Sequence, residues 1–102
     1  MIVTSANGII SLLAEPNQRM KCLALSKLLH LVDGCWPEIA DVIQEIEKLQ
    51  EDESFPERKR AALLASKVHF HLSSYEDALM FALSAEDLFD VNAHTEYSDT
   101  IV

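Results

Sequence analysis

Residues 61–88 read AALLASKVHFHLSSYEDALMFALSAEDL, and the fold is decided in this stretch. It predicts two antiparallel helices, about Pro56–Leu72 and Ser74–Ala85, joined by a tight polar turn at Ser73-Ser74. Small residues stand where two helix backbones must come close: Ala61, Ala62 and Ala65 on the first, Ala78, Ala82 and Ala85 on the second. At helical spacing, Leu64, Ala65, Val68 and Leu72 should face Ala78, Leu79, Ala82 and Ala85. Ser74 is placed to cap the second helix, with Asp77 three residues on. Leu63, Phe70, Met80 and Phe81 point to other flanks and require cover from neighbouring helices.

Upstream, Ser54-Phe55-Pro56-Glu57 has the spacing of a capping box. Arg58-Lys59-Arg60 follows in the first helical turn, where the dipole disfavours cations, and Glu51-Asp52-Glu53 ends the preceding helix, where it disfavours anions. The two runs either neutralise one another across the loop, or Arg58, Lys59 and Arg60 form a partner contact. That preceding helix starts at Trp36-Pro37, with Ile39, Ile43 and Ile46 on one face and Glu38, Asp41, Glu45 and Lys48 on the other. Before it, a helix runs from an N-cap at Asn17 to a stop at Gly34. It carries two apolar stripes (Met20, Ala24, Leu28, Leu31 and Cys22, Leu25, Leu29, Val32), as a helix sandwiched between layers would. A short helix from Thr4 or Ser5 to Ala14, tolerating Gly8, precedes Pro16. A last one, Glu96–Val102, is capped by Thr95 and ends on apolar residues with no stop signal, as a helix cut short would.

The fold class is therefore all-α: stacked antiparallel helical hairpins, about six helices, in one segment over residues 1–102. Two glycines and three prolines give little of the punctuation an all-β chain needs. The net charge of −9 is uneven. Residues 1–67 hold all eight Lys and Arg against ten Asp and Glu, whereas residues 68–102 hold seven acids and no Lys or Arg. This balance repels phosphate backbones and argues against nucleic-acid or anionic-membrane partners. The acidic end is either a solvated face or a docking surface for a basic partner. Ile9–Ala14 lacks a basic flank and is too short to span a bilayer, so the expectation is a cytoplasmic or nuclear protein.

Little in the chain suggests chemistry. His69 and His71 lie about 200° apart around a helix and cannot share an ion, and His30 with Cys35 lacks a second ligand pair. Cys22 reads as a small buried hydrophobe, and neither it nor Cys35 has an adjacent histidine in sequence to act as a base for nucleophilic catalysis. No Gly-x-Ser-x-Gly elbow occurs, and two glycines cannot build a phosphate cradle. Trp36 reads as a core anchor, and the pairs Glu76-Asp77 and Glu86-Asp87 as solubilising surface. No cofactor, metal or catalytic residue is expected.

Two resemblances sharpen this. Tyr75-Glu76-Asp77-Ala78 resembles the start of the second helix in tetratricopeptide-like hairpins, units that stack into protein-holding superhelices. More specifically, the blocks Thr4–Leu13, Cys22–Leu28, Trp36–Ile39, Ala61–Leu72, Ala78-Leu79, Phe81–Leu83 and Asp87–Val91 resemble, collinearly, the N-terminal segment of the large non-ATPase scaffold subunits of the proteasome regulatory particle. The departures are Ser73-Ser74, where a glycine is common, and Met80-Phe81, where Tyr-Ala often occurs. The resemblance implies a non-catalytic α-helical scaffold with a rod, a central toroid and a C-terminal region, of which this chain covers the start of the rod. It also implies neighbouring regulatory-particle subunits as partners and a part in ubiquitin-dependent degradation. A free-standing tetratricopeptide-like peptide-binding adaptor is the alternative. On its own the chain is expected to expose Phe89, Tyr97, Ile101 and Val102, and either to dimerise through them or to be marginally stable.

Overall fold

The computed structural model describes residues 7–85, and among these every regular element is helical. Helix α1 (Asn7–Ile10) passes into a 3-10 turn (Ser11–Ala14), followed by α2 (Gln18–Ala40), α3 (Ile43–Glu51), α4 (Arg58–His71) and α5 (Tyr75–Ser84). Gly8 sits inside α1, and the predicted first helix divides in two, with Ser11 Oγ donating back to the Gly8 carbonyl at 2.8 Å. The expected sixth helix, Glu96–Val102, lies outside the described residues.

Asn17 caps α2 as its sequence predicts, its Oδ1 accepting from the Arg19 amide at 2.8 Å. The predicted helix end near Gly34 occurs, but not through a left-handed glycine, since no glycine among the described residues has a positive φ. Instead Cys35 leaves helical geometry (φ −119°, ψ 15°) and the chain returns to helix through Trp36–Ala40. Pro37 falls in the first turn after this break, where its missing N–H has no carbonyl to serve. The second and third predicted helices are thus divided at Cys35, one residue beyond Gly34, and a further interruption at Asp41-Val42 separates Trp36–Ala40 from α3.

Packing converges on α4, against which α2, α3 and α5 each pack. Ala61, Ala62, Leu64, Ala65, Ser66 and Val68 are all inaccessible to solvent, so α4 is covered over more than half its circumference. The principal core joins its Ala61, Leu64, Ala65 and Val68 to Leu25, Leu28 and Val32 of α2, to Ile39, to Ile46 of α3, and to Phe55 in the α3–α4 loop. Each fully buried Leu, Ile or Val there contributes about 1.5–3 kcal/mol of transfer free energy. α2 packs against α1 and the 3-10 turn as well as α4, which accounts for its two apolar stripes.

The α4–α5 hairpin forms, but on a different side of α4 from the one expected. Ser66 Oγ donates to the Ala78 carbonyl, and the His69 ring stacks on Phe81 at 5.4 Å. Leu64 and Val68 turn instead into the principal core, and Leu72 is exposed. Phe81 is buried inside the hairpin while Met80 faces solvent. The hairpin closes through a Schellman turn: the Ser73 amide donates to the Phe70 carbonyl (3.0 Å) and the Ser74 amide to that of His69 (2.9 Å). This geometry puts Ser73 at φ 63°, a left-handed conformation usually filled by glycine. Ser74 occupies the N-cap position of α5 without making a side-chain cap bond, contrary to expectation.

The capping box before α4 also fails to form. Ser54 turns back to Asp52, whose Oδ1 accepts from the Ser54 amide (3.0 Å) and hydroxyl (2.6 Å). Helix α4 begins at Arg58, with Glu57 as an N-cap whose side chain makes no cap bond. The two Ser54 hydrogen bonds, hydroxyl first, hold the Asp52 carboxyl below its usual range, with a smaller contribution from Lys21.

Three outcomes are expected. Ser73→Gly removes a left-handed strain of about 1–2 kcal/mol and loosens the unfolded chain by up to about 1 kcal/mol, so thermal melting should show a net gain. Ala82→Leu forces α5 off α4 and should lower stability by about 1–3 kcal/mol in chemical denaturation. Because the folded Asp52 carboxyl titrates below its unfolded value, its contribution is present above the unfolded value and lost as pH falls through the folded one. In Ser54→Ala, NMR titration should show that carboxyl moving back up.

Candidate interaction surface

Two contacts and two longer-range electrostatic proximities fix how the helices run past one another. Cys22 of α2 lies within electrostatic reach of Glu57 and Arg60 at the start of α4. Eleven residues later on both helices, the His71 imidazole meets Asp33, Nε2 to Oδ1 at 3.1 Å. Helices α2 and α4 therefore run parallel. Helix α3 runs against both, since its Glu47 meets His69 Nε2 at 3.2 Å while Asp52, just beyond it, feels Lys21. The three-residue turn Leu72–Ser74 makes α5 antiparallel to α4.

Both α4 histidines are occupied in this framework. His69 is held between Glu47 and the Phe81 ring, and its Nδ1 is buried without a partner. When Nε2 carries the proton shared with Glu47, Nδ1 is a bare lone pair facing no solvent. His71 lies flat against Trp36, ring centroids 5.5 Å apart and planes 3° from parallel, while Phe70 meets its edge at 5.2 Å. Trp36 is thus a packing anchor, as its sequence predicts, and the imidazoles join helices instead of facing a substrate cavity. Among the described residues, no three His, Cys, Asp or Glu side chains gather where they could hold a metal ion. Burial, then Glu57, pushes the Cys22 thiol up, against a smaller opposing effect of Arg60, so Cys22 is a poor nucleophile.

The surface offers two kinds of contact. In the first turn of α4 Lys59 is exposed, and Arg58 and Arg60 are half-buried. Arg60 pairs with Glu57 in its own turn, Nε to Oε2 at 3.0 Å, and not with Glu51–Glu53 across the loop as expected. An exposed pair of this kind contributes about 0–1 kcal/mol. The second kind is apolar: Met80 and Leu83, one turn apart on α5, are 52% and 65% exposed. Leu72 and Tyr75 flank the α4–α5 turn, and Met20 and Leu23 lie on the outer side of α2. The i, i+3 spacing of Met80 and Leu83 was open to sequence reading; their exposure was not, because it depends on which side of α4 receives α5. Phe89, Tyr97, Ile101 and Val102, the other expected contact residues, lie outside the described residues.

Clefts open on the surface among the described residues. One of about 220 Å³ lies between the 3-10 turn and α3, lined by Ile10, Ser11, Leu13, Ala14, Val42 and Glu45. One of about 250 Å³ is lined by Ile9, Lys27, His30 and Leu31. Another, of about 410 Å³, lies at the α4–α5 turn among Ser73, Ser74, Tyr75, Glu76 and Asp77. In the first of these the Ser11 hydroxyl donates to the Gly8 carbonyl. No helix among the described residues is long and apolar enough to cross a membrane.

Residues 4–102 match the family model described as 26S proteasome subunit RPN2, N-terminal domain. The whole chain is 59% identical over 102 residues to the 26S proteasome non-ATPase regulatory subunit 1 of Drosophila melanogaster. Over 99% of its length it is 43% identical to the 26S proteasome regulatory subunit rpn2 of Schizosaccharomyces pombe, and 46% identical to non-ATPase regulatory subunit 1 homolog B of Arabidopsis thaliana. In each case it spans about 10% of the relative's own length.

Proposed function

The chain belongs to the family of RPN2 N-terminal domains, and from that premise we propose that it is a non-catalytic structural part of the proteasome regulatory particle. It forms the beginning of a helical rod built from stacked antiparallel hairpins, and its partners are neighbouring regulatory-particle subunits, met through helix surfaces. Through those contacts it supports ubiquitin-dependent protein degradation in the cytoplasm and nucleus. The observation that carries this reading is the match to proteasome regulatory subunits along the entire chain. The directions of α2 to α5, alternately one way and the other around α4, support the rod.

Contact surfaces follow from what α4 and α5 leave uncovered. Arg58, Lys59 and Arg60 form a basic contact at one end of α4, and Met80 with Leu83 an apolar one on α5. The peptide-binding adaptor fits less well, because α5 (YEDALMFALS) has no Lys, Arg or Asn with which to hold a peptide's backbone or carboxylate.

The test is co-purification of the full-length subunit with the regulatory particle, unchanged or with Arg58, Lys59 and Arg60 replaced by Glu. Three acids in the first turn suit the helix dipole, so the fold should survive. The unchanged subunit should co-purify, and the triple variant should be recovered at about a tenth of that level, as loss of a charged contact would produce. Equal recovery rejects the basic turn as an interface, and failure of the unchanged subunit to co-purify rejects the assignment.

A further inference from the structure

The outer side of α2 differs from its inner one. Ala24, Leu25, Leu28 and Val32 are buried where the helix packs on α4, α1 and the 3-10 turn. Met20, Leu23, Lys27 and His30 are all exposed. At 100° per residue these four fall within about 80° of one another around the helix, so they form a single line along it. Met20 and Leu23, one turn apart, are 43% and 46% exposed. Further along the same line opens the cleft of about 250 Å³, with Ile9 and Leu31 as its apolar residues and Lys27 and His30 as its polar ones.

Charge marks this face as well. Residues 18–32 hold Arg19, Lys21 and Lys27 and no Asp or Glu, in a chain whose net charge is −9. Lys21 acts on Asp52, but among the described residues neither Arg19 nor Lys27 pairs with a carboxylate. The acids nearest in sequence are Glu15, ahead of the Asn17 cap, and Asp33, which is bonded to His71. Two exposed apolar side chains, an apolar cleft and unpaired cations along one helix face are the complement of a helix with apolar residues three and four apart and carboxylates beside them. A second copy offering the same face would set cations against cations. An anionic lipid surface would suit Arg19 and Lys27 but is opposed by the chain's net charge.

We infer that the outer face of α2 is a docking site for an acidic amphipathic helix of a neighbouring protein, which lays apolar side chains on Met20 and Leu23 and in the Ile9–Leu31 cleft and sets a carboxylate against Lys27. The inference rests on the reading that helix surfaces of this chain bind neighbouring subunits, and it specifies the chemistry of one such partner.

The experiment uses the full-length subunit within the regulatory particle, with a benzophenone amino acid replacing the exposed Leu23 and cross-linked products identified by mass spectrometry. The cross-linked segment should belong to another protein, carry Asp or Glu within about one helical turn of the linked residue, and repeat apolar residues at helical spacing. Lys27→Glu should lower the cross-link yield about tenfold at equal incorporation, whereas Lys27→Arg, which keeps the charge, should retain it. Lys27 is exposed, so both changes leave the buried side of α2 as it is. A cross-link to a basic or uncharged segment, to the subunit itself or to lipid overturns the docking site while leaving the scaffold reading intact. So does a yield indifferent to Lys27→Glu, or no cross-link from an incorporated subunit. Failure of the unmodified subunit to enter the particle overturns both.

Discussion

A helix surrounded on three sides must be thin, and α4 satisfies that constraint residue by residue. Ala61, Ala62, Ala65 and Ser66 let α2, α3 and α5 approach one 14-residue helix, with Leu64 and Val68 as the larger side chains that fill the space between. Four small residues in six consecutive positions would be a poor core for a helix with one neighbour, since each buries little apolar area. They suit a helix with three neighbours, because close backbone approach restores the contacts that side-chain volume would otherwise supply. Ser66 adds direction to this packing: its hydroxyl reaches a carbonyl on α5 that already belongs to a helix, fixing the two elements in register.

The histidines complete the arrangement. His69 and His71, two residues apart, project to different sides of α4 and hold different partners, Glu47 on α3 and Asp33 on α2. Each ring is also stacked on an aromatic, Phe81 or Trp36. Residues that in another context would serve as bases or ligands are here joints between helices. A framework of this kind provides shape and surface, which accords with membership of a family of regulatory subunits.

Much of the architecture was legible because it depends on local signals. The Asn17 cap, the α4–α5 pair and the anchoring role of Trp36 follow from spacing over a few residues. The misreadings share a cause in competition between local options. Ser54 had a choice between the amide ahead and the carboxylate behind, and Asp52 accepts two bonds from it where the capping box offered one. Gly34 stays out of the left-handed region, and the division predicted there falls one residue later, at Cys35. Which side of α4 would receive α5 was hidden because nearly every side of α4 is small or apolar. Of the expected contact residues, Lys59 is exposed while Arg58 and Arg60 are half-buried. The exposure of Met80 and Leu83 emerges only once Phe81 has claimed the interior.

The departure at Cys35 has its own consequence. A straight helix of 23 residues extends about 35 Å, against about 21 Å for α4, so it would overshoot the helix it covers. One residue out of helical geometry redirects the rod without changing its phase: Leu25, Leu28, Val32 and Ile39 keep the three-and-four rhythm and all stay inaccessible to water. The long element thereby clasps the shorter one, as a jointed finger holds what a stiff one could only touch.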